Sequence, residues 1–302
     1  MSARYLTLKI TPELDGTEVN TLLRRTLGLS GTVLRRVKWL EDGVTLDGVR
    51  VNVRVRAQTG QTLSVRLTDP VLPPEPVPRE GPLDIVYEDA DMAVVNKAPG
   101  VLVHPSHGHF DDTIGNFLMW HYRQAGDESG FHPVHRLDKG TSGLLVVAKH
   151  AHAQEKLKSQ LHTDRFRRLY LAVCDGRPPE LTGDIDAPIG LADGSPVARE
   201  VRSDGQPART HYQILRRWGP RTLVCLELET GRTHQIRVHM AHIGCPLTGD
   251  FLYGREDRAL IDRPALHSAR VELDHPITGE RLVFSVPLPK DMQDLKPKEE
   301  LP

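Results

Sequence analysis

Six prolines fall within the fourteen residues from Asp69 to Pro82, and no packed element can run through them. Proline fixes φ and lacks an amide donor, which excludes a helix interior or a central strand. The segment therefore reads as an extended, semi-rigid linker over residues 70–83. It divides the 302-residue chain into a small unit, residues 1–69, and a larger one, residues 84–290, with a short charged tail over 291–302. Two domains are also what this length implies, and it leaves room for a sizeable core.

The division uncovers a charge asymmetry. The whole chain has a formal net charge of −1, which by itself argues against a polyanionic partner. Residues 1–69, however, carry 11 lysines and arginines against 7 aspartates and glutamates, net +4, which leaves −5 for the remainder. A basic module is thus tethered to a mildly acidic body. The three cysteines, Cys174, Cys225 and Cys245, are odd in number and too widely spaced for a metal-binding pair, which points to a reducing compartment. Met1 to Tyr5 leads straight into an alternating pattern, and no run of about 20 apolar residues occurs. The reading is a cytoplasmic protein with neither signal peptide nor membrane span.

Within the small unit, Val19 to Leu29 has helical apolar spacing, and Thr32 to Leu40 gives a second helix that carries Arg35, Arg36 and Lys38. Val44 to Asn52 reads as a hairpin turning at Asp47-Gly48. In the larger unit, strands are expected at 93–96, 143–149, 169–173, 211–215, 222–228 and 283–287, and helices at 113–124, 151–162 and 232–242. No Gly-x-Gly-x-x-Gly joins a strand to a helix, so no dinucleotide cofactor is indicated.

The strand at 143–149 is fed by His135-Arg136-Leu137-Asp138-Lys139-Gly140-Thr141-Ser142-Gly143, a glycine-bearing turn holding a carboxylate, two cations and two hydroxyls. Turns held by rigid strands are where reactive groups sit, which makes Asp138 the first candidate for chemistry. The plain alternative is a polar turn whose Asp and Ser cap backbone groups.

This run resembles the H-R-L-D-x-x-T-S-G signature of the RluA-type pseudouridine synthases at every specified position. Three further stretches agree in order: 95–105, similar to the family's N-K-P-x-G-x-x-V-H-P; Arg168 to Val173; and Glu229-Thr230-Gly231-Arg232-Thr233-His234-Gln235-Ile236-Arg237. The small unit resembles the RNA-binding module first seen in ribosomal small-subunit protein S-four. The resemblance implies an α+β fold: a long mixed, mainly antiparallel sheet flanked by helices, with the active cleft across its middle, behind a small N-terminal α/β RNA-binding domain. It also implies an isomerase that turns uridine into pseudouridine in structured RNA. That net isomerisation calls for no metal, nucleotide or redox cofactor.

The resemblance implies roles for individual residues. Asp138 is the essential carboxylate, Arg237 the cation that keeps it ionised, and Tyr170 the ring against the target uracil; for Arg237 a structural salt bridge to another acid remains the other reading. Arg136 enters the space left by the flipped base. His135, Lys97 and Arg168 contribute to substrate binding, Lys97 and His104 also form the framework of the cleft, Arg165 and Arg167 join Arg168 in a phosphate-facing patch, and Arg35 and Arg36 contact RNA from the small unit. Departures from the family pattern are Arg168 for lysine, Ala98-Pro99, Cys245 for histidine and Ser268 for alanine. Two rivals stand beside this reading. One is a metal hydrolase built on His104, His107 and His109 or on His234, His239 and His242, which lack the H-E-x-x-H pattern. The other is an RNA-binding protein without catalysis. The substrate is expected to be large-subunit ribosomal RNA, with transfer RNA second, and the protein a monomer.

Overall fold

The computed structural model describes residues 3–68 and 76–297; residues 70–75 of the proline-rich linker and the last five residues lie outside the described residues. The small unit opens with β1 (Tyr5–Lys9), α1 (Val19–Thr21) and α2 (Gly31–Val37), and continues through β2 (Val44–Leu46), β3 (Val49–Arg50) and β4 (Thr62–Arg66). Its strands form a sheet in the order β1-β4-β2-β3. The helix expected over 19–29 keeps α-helical form only to Thr21 and widens into a π-helical turn, Leu22–Thr26, whose Leu22 and Leu23 are both buried. Asp47 and Gly48 both have positive φ, 51° and 81°, as the two-residue hairpin turn requires.

The larger unit is one sheet with helices on both faces. Its strands are β5 (Ile85–Glu88), β6 (Met92–Lys97), β7 (His132–Pro133), β8 (Ser142–Ala148), β9 (Arg167–Asp175), β10 (Thr182–Asp186), β13 (Arg209–Trp218), β14 (Arg221–Leu228), β15 (Leu266–Asp274) and β16 (Arg281–Ser285). A separate hairpin pairs β11 (Ile189–Leu191) with β12 (Arg199–Val201). The helices are α3 (Ile114–Gln124), α4 (Ala151–Gln160), α5 (Gln235–His242) and α6 (Lys290–Gln293). The main path runs β10-β13-β14-β9-β15-β8-β6-β5, antiparallel throughout except where β15 meets β8 in parallel. This is the mixed, mainly antiparallel sheet that the family resemblance implied.

All seven residues of β8 are buried because both faces are covered. Leu145 and Val147 join Leu118, Met119 and Tyr122 of α3 in one core, while Leu144 and Val146 join Ala153 and Leu157 of α4 in another. Strand alternation therefore welds two helical layers through one element. At the parallel seam, Gly143 has φ +103°, and a Cβ there would lie 2.2 Å from the Ser268 carbonyl oxygen. Ser142 meets His267 Nδ1 at 2.9 Å, and the Ser268 hydroxyl donates to the Leu144 carbonyl at 3.0 Å. The Ser-Gly of the motif thus closes the seam.

Two sequence expectations change. The small unit is docked as well as tethered: Arg4 makes a bidentate pair with Asp91 at 2.8 and 3.0 Å, Arg66 reaches Glu128 at 2.6 Å, and Ala151 and Ile277 pack against the small unit's core. The tail expected from 291 starts later, because Met292 and Leu295 are buried with Val173 and Trp218, and Asp291 pairs with Arg263 at 2.6 Å.

Candidate active site

The Asp138 turn is clamped by its carbonyls. Arg263 Nη1 donates to the Gly140 carbonyl at 3.0 Å, and the Gly100 amide donates to the Lys139 carbonyl at 2.8 Å. Lys97 Nζ donates to the carbonyls of Ala98, Val101 and Lys139 at 2.9, 2.8 and 3.2 Å. Lys97 is 1% exposed and its ammonium is spent on this clamp. Burial, with the nearby Arg263 charge, pushes its pKa down to about 7, while Asp138 opposes the shift. It does not line the cavity, so of its two expected roles the contact with substrate is corrected: Lys97 belongs to the framework and fixes the turn that presents Asp138.

Asp138 opens into a cavity of about 520 Å³. Tyr170 and Arg168, two apart on β9, share the face that looks into it, as strand periodicity requires. Arg136, Lys158, Arg232 and Arg237 also line it, so five cations with Arg168 surround one carboxylate. This local charge resolves the overall −1: the site attracts polyanions although the chain does not. Arg168 is 5% exposed, and its Nε has no hydrogen-bond partner among the described residues. Burial raises the pKa of the Tyr170 phenol, which stays neutral beside Asp138 and Arg168.

Arg237 is buried on α5 and makes two hydrogen bonds to Asp250, both 2.7 Å. Its Nη1 lies 3.9 Å from Asp138 Oδ2. This arginine therefore makes a tight structural pair with Asp250 and a longer ion pair with Asp138. The guanidinium also stands over the Tyr253 ring, 4.9 Å from its centroid. Tyr253 Oη in turn shares a 2.7 Å hydrogen bond with His234 Nδ1 and accepts from the Arg199 amide at 2.8 Å. Gln235 locks the preceding loop by accepting from Thr230 Oγ1 and the Arg232 amide and donating to the Arg209 carbonyl. Asp250, Tyr253, Lys158 and Arg263 were not singled out from the sequence. No spacing rule links them to the motifs, because each meets the site only through the fold.

The fold puts the other expected residues in different settings. His135 lines the cavity, but its Nε2 accepts from the Val146 amide at 3.2 Å, and burial takes its pKa down to about 3. It is a neutral ring supporting the turn. His104 lines the cavity, with its pKa lowered by burial and by Arg136 and Lys158. Arg165 and Arg167 do not join Arg168: Arg167 pairs bidentately with Glu227 at 2.7 and 2.8 Å, and Arg165 is exposed 3.9 Å from Asp274. Arg35 and Arg36 sit exposed on α2, outside the cavity. The histidine sets of the metal reading are dispersed: His109 bonds Asp112, His239 bonds Thr210 and the Ala187 carbonyl, and His234 bonds Tyr253.

Comparison with known proteins gives this geometry a class. The sequence profile of the family described as "RNA pseudouridylate synthase" matches residues 91–242. "Uncharacterized RNA pseudouridine synthase YjbO" of Bacillus subtilis (strain 168) is 40% identical over 269 residues, covering 89% of this chain and 95% of that protein. "Ribosomal large subunit pseudouridine synthase D" of Vibrio vulnificus (strain CMCP6) is 40% identical over 278 residues, covering 86% and 84%. Among solved structures, "Human RNA Pseudouridylate Synthase Domain Containing 1" superposes with a TM-score of 0.57 at 29% identity, covering 68% of this chain and 83% of that one. The chain belongs to the RNA pseudouridylate synthase family. It is an isomerase that converts uridine to pseudouridine in RNA.

Proposed function

We propose that the protein isomerises uridines of folded large-subunit ribosomal RNA, with Asp138 as the reacting carboxylate. The observation that carries this is the convergence of Asp138, Tyr170 and Arg237 in one cavity walled by Arg136, Lys158, Arg168 and Arg232. The reaction breaks the bond from uracil N1 to ribose C1′, turns the base, joins uracil C5 to C1′ and releases the C5 proton. Asp138 acts either as nucleophile or as the negative charge that stabilises the sugar. Arg237, itself anchored on Asp250, stands 3.9 Å from the carboxylate as its counter-charge. Tyr170 packs on the uracil and serves removal of the C5 proton. Arg136 occupies the stack vacated by the flipped nucleotide, which costs a few kcal/mol to extrude.

The ribosomal assignment is supported by the relatives named as large-subunit pseudouridine synthases and by the docked basic unit, a second anchor that gains most on an extended RNA. The protein works as a monomer, in the cytoplasm, where its three free thiols stay reduced. Since substrate and product are isomers, the atoms balance without a cofactor.

Pseudouridine mapping of total RNA tests the target, comparing cells lacking the protein with cells restored by wild type or Asp138→Asn. Sites in large-subunit ribosomal RNA that vanish in the deletion and return only with wild type are expected. Loss confined to transfer RNA would move the target there, and no change at any site would leave RNA binding without catalysis as the better account.

A further inference from the structure

A second cavity of about 360 Å³ adjoins the one that holds Asp138. The two share a wall, because Gly231, Arg232 and Thr233 line both. That wall is thin: a Cβ on Gly231 would stand 3.7 Å from Nη1 and Nη2 of Arg168, a cation of the active cavity. The hairpin of β11 and β12 supplies Ile189, Leu191 and Arg199 to the second cavity. It is held in place from beneath, where Ile189 is buried with Ala208 and with Val238 of α5, and Val201 packs against them. The Arg199 amide also donates to Tyr253 Oη at 2.8 Å, and the same tyrosine ring carries the Arg237 guanidinium. Gly205 allows the close approach of the turn after β12, since a Cβ there would lie 2.6 Å from the Ile189 carbonyl carbon.

The lining suits a single nucleotide. Ile189 and the half-exposed Leu191 give an apolar surface, and Gln206 adds an amide that both donates and accepts. The one carboxylate of the lining, Asp204, is already taken, because Arg202 donates to it at 2.8 and 3.2 Å. The two arginines are not taken. Arg232 donates from Nε to the Pro207 carbonyl at 3.0 Å. Its terminal nitrogens, and the whole guanidinium of Arg199, have no hydrogen-bond partner among the described residues. Two open cations thus stand beside an apolar surface, one of them at the shared wall.

We propose that this second cavity is a subsite for a nucleotide that neighbours the target uridine in the RNA chain. Arg232 and Arg199 take its phosphate, and its base lies against Ile189 and Leu191 within reach of Gln206. The phosphate contacts position the strand, and the base contact adds a preference at one flanking position. The proposal rests on the reading of RNA as substrate and deepens it, making Arg199, Leu191 and Gln206 specificity-determining residues.

The test uses the full chain and a large-subunit ribosomal RNA transcript labelled with tritium at uracil C5. Tritium release gives KM over a range of salt, and filter binding gives Kd for the same transcript. Arg199→Ala should raise KM and lower the salt slope of log KM by about 0.7, the value for one single-strand phosphate contact, and Arg199→Lys, which keeps the charge, should recover the slope. The base contact is read on RNA fragments around a converted uridine from which the base of one neighbouring nucleotide has been removed. In wild type, removal at one flanking position should raise KM about fivefold, the order of one hydrogen bond. In Gln206→Ala that penalty should shrink. An unchanged salt slope in Arg199→Ala, or a base-removal penalty that is absent from wild type or undiminished in Gln206→Ala, overturns the subsite. If wild type released no tritium, the reading of this RNA as substrate would fall. The subsite would then be judged by Kd, upheld by the same slope change in Arg199→Ala and overturned by its absence.

Discussion

Arg237 gives Asp250 two hydrogen bonds of 2.7 Å and holds Asp138 at 3.9 Å. The pair with Asp250 is buried, so it fixes the guanidinium, while the longer approach leaves the Asp138 oxygens open to the cavity. A cation bound as tightly to Asp138 would occupy the oxygens that the reaction needs.

Asp250→Ala leaves Arg237 as an unpaired buried charge, which costs about 3–5 kcal/mol in comparable pairs. Calorimetry should register a clear fall in Tm. Asp250→Asn, which keeps an acceptor, should fold but turn over at least about tenfold more slowly at unchanged RNA affinity, as expected when one catalytic contact shifts. Full turnover in Asp250→Asn would remove this residue from the catalytic framework.

Lys97→Met removes the donor for three carbonyls without creating a large cavity. Its effect should appear in kcat, by about tenfold or more through misplacement of Asp138, and in Tm, with KM for RNA unchanged. A rise in KM alone would restore Lys97 as a substrate contact.

Gly143→Ala places a Cβ against the Ser268 carbonyl in a backbone conformation that alanine avoids. Strain at such a position costs about 1–3 kcal/mol before the clash is counted. The variant should melt well below wild type, and an unchanged Tm would mean that the seam is looser than described.

Acid should destabilise the fold between about pH 6.5 and pH 4. His132, His152 and His267 are held at about 4 and His135 at about 3, in each case chiefly by burial. Unfolded, they titrate near 6.5, so between these values the unfolded chain binds more protons. Stability from these rings is complete above pH 6.5 and is lost as pH falls toward 4, each ring contributing about 1.4 kcal/mol for every pH unit that separates its folded from its unfolded titration. Thermal melts at pH 7.0 and 4.5 check this, and equal Tm values would contradict it.

The sequence revealed those parts of the fold whose signal is local. The Asp138 turn, β8 with its unbroken apolar run and the Asp47-Gly48 hairpin could all be read from neighbouring residues. β15 was not anticipated, although it lies at the centre of the sheet. A bulge between Ser268 and Arg270 breaks its alternation, and its burial comes from its partners β8 and β9. Asp250 was missed for the same reason, since nothing thirteen residues beyond Arg237 signals that a turn will fold back under the guanidinium. Lys97 and His135 were noticed but their roles differ, because a motif marks a position without showing whether its side chain faces the cavity or the backbone.

The central claim is that the Asp138 carboxylate performs the isomerisation, and release of the C5 proton tests it most directly. Purified wild type should release tritium from large-subunit ribosomal RNA labelled at uracil C5, and Asp138→Asn should release none while binding the same RNA within a few-fold of wild type. Tritium release by Asp138→Asn at the wild-type rate would contradict the account.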